Sequence, residues 1–146
     1  MTFGFRVERA ASVSPTKLYG VLADAAAFRD WAPLVGYSAL IRQGTPDPLG
    51  AGAIRRLGPF KRASVDEEIV EARPPHYQRY VGVRGFPVSQ YCGEISLSKA
   101  GTGTELLWTV TFEQRVPGTA PALTVIIRAV ITKMVDHAIS VAEESA

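Results

Sequence analysis

The stretch YCGEISLSKAGTGTELLWTVTF, residues 91–112, carries enough pattern to define its own geometry. On its first arm Tyr91, Gly93, Ile95 and Leu97 share one face, and on its second Leu106, Trp108, Val110 and Phe112 do the same, the period of strands that bury one side. Pairing Leu97 with Leu106 leaves a turn around Ala100-Gly101-Thr102-Gly103, sets Ile95 opposite Trp108 and Tyr91 opposite Phe112, and brings both apolar sets together. Glu94, Thr109 and Glu113 then face water. So apolar a face needs a cover.

Working back toward the N-terminus, QGTPDPLGAG, LGPFK, RPP, RGFP and KAGTG punctuate a run of strands from Gly36 to Val116. Phe3, Phe5 and Val7 alternate with Gly4, Arg6 and Glu8 within a first strand over residues 3–13, giving six or seven strands. Between this strand and the rest, Ser14 and Pro15 supply an N-cap and a first-turn proline, and Leu18, Val21 and Leu22 follow at helical spacing. Asp24 is placed to cap a second short helix through Phe28 and Trp31, and Pro33 holds Ala32 extended. In AAAFRDWAPLVG, residues 25–36, two large aromatics sit where that helix ends. They close one end of the sheet.

The cover for the apolar face lies at the other end of the chain. From about Ala120 to Glu144, Leu123, Ile126, Ile127, Val130, Met134, His137, Ala138 and Val141 follow helical spacing, opposite Arg128, Thr132, Asp136 and Ser140. Gly118 and Pro121 suit its entrance. The run Ala120–Val135 is interrupted by Arg128 and Lys133 and falls short of the roughly 20 residues that span a bilayer. It reads as a buried helix, and no membrane span is expected.

A chain of 146 residues with 47% hydrophobic and 21% charged residues is expected to form one ordered domain, residues 1–146. Its formal charge of +2 gives no reason to expect a nucleic-acid partner, and the cluster Arg55, Arg56, Lys61 and Arg62 reads as solvated strand-end charge. The single cysteine, Cys92, excludes an intrachain disulfide and reads as a buried or half-buried small side chain. Charges at Arg6, Glu8 and Arg9 occupy the place of a signal peptide's apolar run, so a cytoplasmic location is expected.

The order of strand, two short helices, antiparallel meander and long final helix resembles the START-like superfamily, also called SRPBCC, and within it the polyketide cyclase/dehydrase and lipid transport group. The matching segments are SPTKLYGVLADAAAFRDWAP, GAG with Arg55 after it, EEIVEARPPHYQRYVGVRGFPVSQYCGEISL and GTGTELLWTVTFE. The resemblance implies an α+β helix-grip fold, in which a curved antiparallel sheet wraps the C-terminal helix, packed on its concave face, around an internal cavity. It also implies a small hydrophobic ligand: a lipid, a polyketide, a sterol or another aromatic metabolite.

Large side chains with polar tips suit such a cavity, gripping an apolar skeleton and orienting one polar group. Trp31, Tyr37, Tyr91 and Trp108 are the candidates, with Tyr80. Pairing Arg84 with Pro87 makes Tyr80 cofacial with Tyr91, whereas a one-residue slip sends it to solvent. Phe112 and, from the last helix, Val130, Met134 and His137 complete the expected ligand-binding set. Catalytic candidates are Arg55, Glu67, Tyr91 and His137. Either Glu67 or Glu68, and either Arg55 or Arg56, points to the concave side, where an acid facing an arginine would neutralise it. A histidine facing a cavity titrates near neutrality and serves as base or hydrogen-bond partner.

Other site chemistries find little in the sequence. His76 and His137 are the only histidines, too few for a histidine-based metal site, and no cofactor is expected. No G-x-S-x-G elbow is present, and GAGAIR at 50–55 lacks the third glycine of a dinucleotide fingerprint, so it reads as a loop feeding a strand. The reading that follows is a carrier or sequestering protein for a hydrophobic molecule. The alternatives are a polyketide aromatase/cyclase performing aldol closure and dehydration, and an interaction module like the ribosome-associated toxins of this superfamily.

Overall fold

A computed structural model describes residues 1–145, and its seven strands are β1 (Thr2–Ala11), β2 (Tyr37–Arg42), β3 (Ile54–Phe60), β4 (Ala63–Arg73), β5 (Tyr77–Arg84), β6 (Val88–Ala100) and β7 (Gly103–Gln114). They form one antiparallel sheet in the order β1-β7-β6-β5-β4-β3-β2. After the first, every strand but the last pairs with its successor, and β1 closes against β7, with Thr2 opposite Glu113. Helices α1 (Pro15–Ala23) and α2 (Phe28–Trp31) follow β1, separated by a 3-10 turn at Ala25–Ala27, and α3 (Ala120–Glu144) ends the chain.

The β6–β7 hairpin pairs Leu97 with Leu106 and Ile95 with Trp108, and its tight turn places Gly101 at φ +62, a conformation that glycine adopts without steric cost. Tyr91 is not paired with Phe112. The register shifts between Ser89 and Cys92, where Gln90 takes φ +53, so a bulge replaces that pair while Tyr91 keeps its inward direction. Tyr80 pairs with Gly93 rather than Tyr91. A two-residue offset preserves the face, and Tyr80 is buried.

Ser14 caps α1, its hydroxyl accepting from the Lys17 amide at 3.3 Å, with Pro15 in the first turn. Asp24 precedes the 3-10 turn but contributes its carbonyl, accepting from the Ala27 amide, rather than a side-chain cap. Ala32 is extended before Pro33 as expected. Phe28 is buried, and Trp31 packs beside it with ring centroids 4.9 Å apart.

Along α3 the buried residues are Ala120 at its start and then Ile131, Met134, Val135, Ala138, Ile139 and Ala142. The helix lies against β1 and α1. Ser12 fastens it, donating through its amide and hydroxyl to Glu143 Oε2 at 2.9 and 2.7 Å, and Arg9 meets Asp136 at 3.0 Å. His137 is exposed, contrary to its place on the expected inward stripe. The stripe is turned because apolar residues surround the first half of the helix, which deprives the sequence pattern of one inward direction. Val125 and Ile126 are exposed as well.

Candidate functional site

Because α3 sits toward the β1 side, the opposite wing of the sheet is left partly uncovered. A cavity of about 320 Å³ lies there, floored by Leu57, Val65, Tyr91 and Trp108 and roofed by Ile127, Val130, Ile131 and Met134. Pro33, Leu34 and Val35 after α2, Pro59 and Ala63 around the β3–β4 turn, and Phe86 and Pro87 between β5 and β6 form its rim. The sequence signals this rim only weakly. Its signal was the clustering of proline with apolar residues at three turns, which reads equally as ordinary turn chemistry.

One part of the wall is charged. Alternation along β3 and β4 turns Arg55 and Glu67 inward, and they pair directly across the strands, Arg55 Nε donating to Glu67 Oε1 at 2.8 Å. Their exposures are 3% and 6%. Arg55 is therefore part of the interior, not solvated strand-end charge. Its guanidinium carbon lies 5.2 Å from the Phe28 ring centroid and 4.9 Å from that of Tyr80, within the range of cation–π attraction. Nη1 reaches toward the Leu22 carbonyl at 3.4 Å, and Nη2 has no protein partner among the described residues. Pair and rings together offset the cost of burying the charges.

Arg56 and Glu68 take the opposite face. Arg56 forms two hydrogen bonds with Asp66, at 2.7 and 2.9 Å, and Asp66 also accepts from Arg84 at 3.0 Å. The Arg56 hydrogen bonds hold the Asp66 carboxyl down at about 2, below the usual carboxylate range, with Arg84 adding to the effect. Glu68 lies 3.5 Å from Arg42. The two alternatives left open by alternation are thus resolved, with one ion pair inside and an ionic clamp outside.

Behind the charged pole stands an aromatic support. Trp108 Nε1 donates to the Tyr80 hydroxyl at 3.0 Å, their rings nearly perpendicular. Tyr80 lies over Gly93, where a Cβ would run into its ring. Phe86 stacks on Tyr91 at 4.3 Å. Burial raises the pKa of both tyrosines, and the Glu67 charge adds to the rise. Both therefore stay protonated at neutral pH and offer hydroxyls, not phenolates.

Of the expected ligand-binding residues, Tyr91, Trp108, Val130 and Met134 line the cavity, and Arg55 and Glu67 join them. Five do not. Tyr80 stands behind the wall, and Phe112 is sealed in the core against Phe3. Tyr37 pairs with Gly58 at the sheet edge without reaching the cavity. Trp31 packs on Phe28, its indole nitrogen buried without a partner among the described residues. His137 directs Nδ1 to the Trp31 carbonyl, at 3.2 Å, from the outside. Cys92 is half-buried on the other face from Tyr91, its thiol pKa raised by burial. Among the described residues no His, Cys, Asp and Glu cluster suited to a metal forms, and no helix is long and apolar enough to cross a membrane.

Residues 2–143 match the family described as polyketide cyclase / dehydrase and lipid transport. Similar solved structures include the Zhui aromatase/cyclase from Streptomyces sp. R1128, with TM-score 0.83, 16% identity, and 98% and 94% of the two chains covered. Ara h 8.0201 gives 0.81 at 14% identity over 99% of each chain. A START superfamily protein from Mycobacterium smegmatis gives 0.79 at 12% identity, again over 99% of each. At such identities the likeness is one of fold, the helix grip. No curated protein sequence matches significantly.

Proposed function

Because the chain belongs to the polyketide cyclase/dehydrase and lipid transport family of START-like proteins, we propose that its cavity holds one small, uncharged, largely apolar molecule that the protein carries or sequesters. The observation that carries this reading is the wall itself, carbon on nearly every side with one charged pole where Arg55 and Glu67 cancel each other. A ligand bearing its own charge would bury a third charge beside a pair already balanced. A hydroxyl or carbonyl would instead find the spare Arg55 donor and the Tyr91 hydroxyl. The volume equals about ten water molecules, which fits a small ring system rather than a diacyl lipid.

A cyclase-type reaction is the second reading, favoured by the gathering of Arg55, Glu67 and Tyr91 at one cavity. Aldol closure needs a base that accepts a proton and an acid that returns one. Here Arg55 and Glu67 engage each other, Tyr91 is held protonated, and neither histidine lines the cavity. Binding is therefore the better-supported role.

Native mass spectrometry of gently purified protein, with extraction of whatever is retained and titration of an apolar fluorescent probe, tests the proposal. Val130→Trp should fill the cavity and abolish probe binding while leaving a cooperative melt. Undiminished binding in that variant would contradict it. Consumption of a poly-β-keto substrate, lost in Tyr91→Phe, would favour the cyclase.

A further inference from the structure

The cavity opens at one end of the sheet, and the segments gathered at that end differ in composition from the rest of the chain. They are residues 32–36, 58–63, 83–88 and 115–130: the loop after α2, the β3–β4 turn, the β5–β6 connection and the approach to α3 with its first half. Together they contain five Lys and Arg and no Asp or Glu, whereas the remainder contains 11 Lys and Arg against 14 Asp and Glu. Arg84 is engaged by Asp66, but Lys61, Arg62 and Arg128 form no salt bridge among the described residues. The carboxylates nearest in sequence are Asp30 on α2, Asp66 between its two arginines, and Glu113 on β7.

The same segments hold six of the eight large hydrophobic side chains that are exposed: Leu34, Phe60, Val83, Val116, Val125 and Ile126. Leu34 is 72% exposed and Phe60 61%. Leu34 also takes φ +65, a left-handed conformation that costs a residue with a Cβ about 1–2 kcal/mol. On α3, Ala122, Val125, Ile126 and Ala129 are exposed at helical spacing, an apolar stripe distinct from the one buried lower down. Apolar side chains interleaved with unpaired cations, without carboxylates, have the composition of a surface that inserts into the headgroup layer of an anionic bilayer. A second copy of the chain would meet these cations with its own, so like-charge repulsion opposes self-association through this face.

From this juxtaposition we infer that the cavity rim is a docking surface for anionic membranes, on which the protein exchanges its apolar ligand with the lipid phase. Leu34, Phe60 and Ile126 enter the interface, and Lys61, Arg62 and Arg128 meet lipid phosphates. The inference deepens the binding function proposed above and depends on it for the exchange step, but the docking itself is measurable without any cavity ligand.

Flotation of the full chain with vesicles of phosphatidylcholine alone, and of phosphatidylcholine mixed with phosphatidylglycerol, tests it. The protein should float with the mixed vesicles, stay behind with the neutral ones, and detach as salt rises. Lys61→Gln and Arg62→Gln should each lower partitioning about fivefold, the factor given by about 1 kcal/mol per basic side chain near an anionic surface. Phe60→Asp should abolish it; because all three positions are exposed, each variant should keep the wild-type melt, and Glu105→Gln at the far end of β7 serves as the control. Equal partitioning to both vesicles, or rim variants that float like wild type, would overturn docking. So would a concentration-dependent dimer that Phe60→Asp dissociates. Apolar-probe binding in free solution separates the two claims: its loss with flotation intact defeats the cavity function, and its persistence without flotation defeats docking alone.

Discussion

The first half of α3 is the more apolar, with Arg128 its only charge against Lys133, Asp136, Glu143 and Glu144 in the second, yet the second half is the one that is buried. From Ile131 onward the helix buries Val135, Ala138 and Ala142 completely against β1 and α1, while its first half leaves Val125 and Ile126 in solvent and roofs the cavity with Ile127 and Val130. Apolar content therefore decides that a helix forms and seeks a sheet, but the neighbouring strands decide which half becomes core. The contrast extends to the sheet. Near β1, β7 and β6 the inner face is filled by Phe112, Val110 and Ile95, whereas between β3 and β4 a buried ion pair stands beside empty volume.

The largest effect is expected at the charged pole. Glu67→Leu should cost about 3–5 kcal/mol in urea unfolding, because it leaves the Arg55 guanidinium buried without its counter-ion. Adding Arg55→Met should recover most of that loss, since an apolar pair of similar size needs no compensation. A single variant as stable as wild type would mean that the pair is hydrated rather than interior. Next in size is the helix itself. Ile139→Ala should lose about 2–4 kcal/mol as a core truncation, whereas Ile126→Ala should stay within about 0.5 kcal/mol of wild type. Equal losses would erase the distinction between core and roof.

The smallest effect concerns the outer clamp of the hollow wing. Asp66 has its pKa lowered to about 2, first by its hydrogen bonds with Arg56, against an ordinary value of about 3.9. A lowered native pKa contributes stability that is present above the ordinary value and disappears as pH falls from about 4 through about 2. Asp66→Asn should therefore destabilise the protein at neutral pH by on the order of 1 kcal/mol, a figure discounted for the half-exposed Arg84. Chemical denaturation as a function of pH should find the gap closing on acidification. A gap that stays constant would dissociate the clamp from this carboxylate.

Much of the fold was legible because it depends on period and punctuation. The Leu97–Leu106 and Ile95–Trp108 register, the Ser14-Pro15 helix start and the long final helix all follow from side-chain size and backbone preference within a few residues. The site was legible only in part. Alternation states that Glu67 and Glu68 lie on opposite faces but not which face is concave, since charges occur on both. His137 was misplaced because the first half of α3 offers two apolar stripes, and only contact with β1 and α1 selects the rotation. Phe112 points inward as its parity requires, and Tyr80 takes the inward one of the two directions its register left open, yet neither reaches the cavity, because Trp108 and Phe3 stand against them. Inward direction follows from sequence period; access to empty space depends on how the helix and turns pack.

The balanced Arg55–Glu67 pole should make the cavity select uncharged ligands. Calorimetric titration at neutral pH with naphthol and with naphthoate, which share a ring system but differ in charge, tests it most directly. Naphthol should bind the wild-type protein at least about tenfold more tightly, a difference of about 1.4 kcal/mol, and Glu67→Gln, by uncovering Arg55, should close or reverse the gap. Naphthoate binding as tightly as naphthol to the unaltered protein would contradict it.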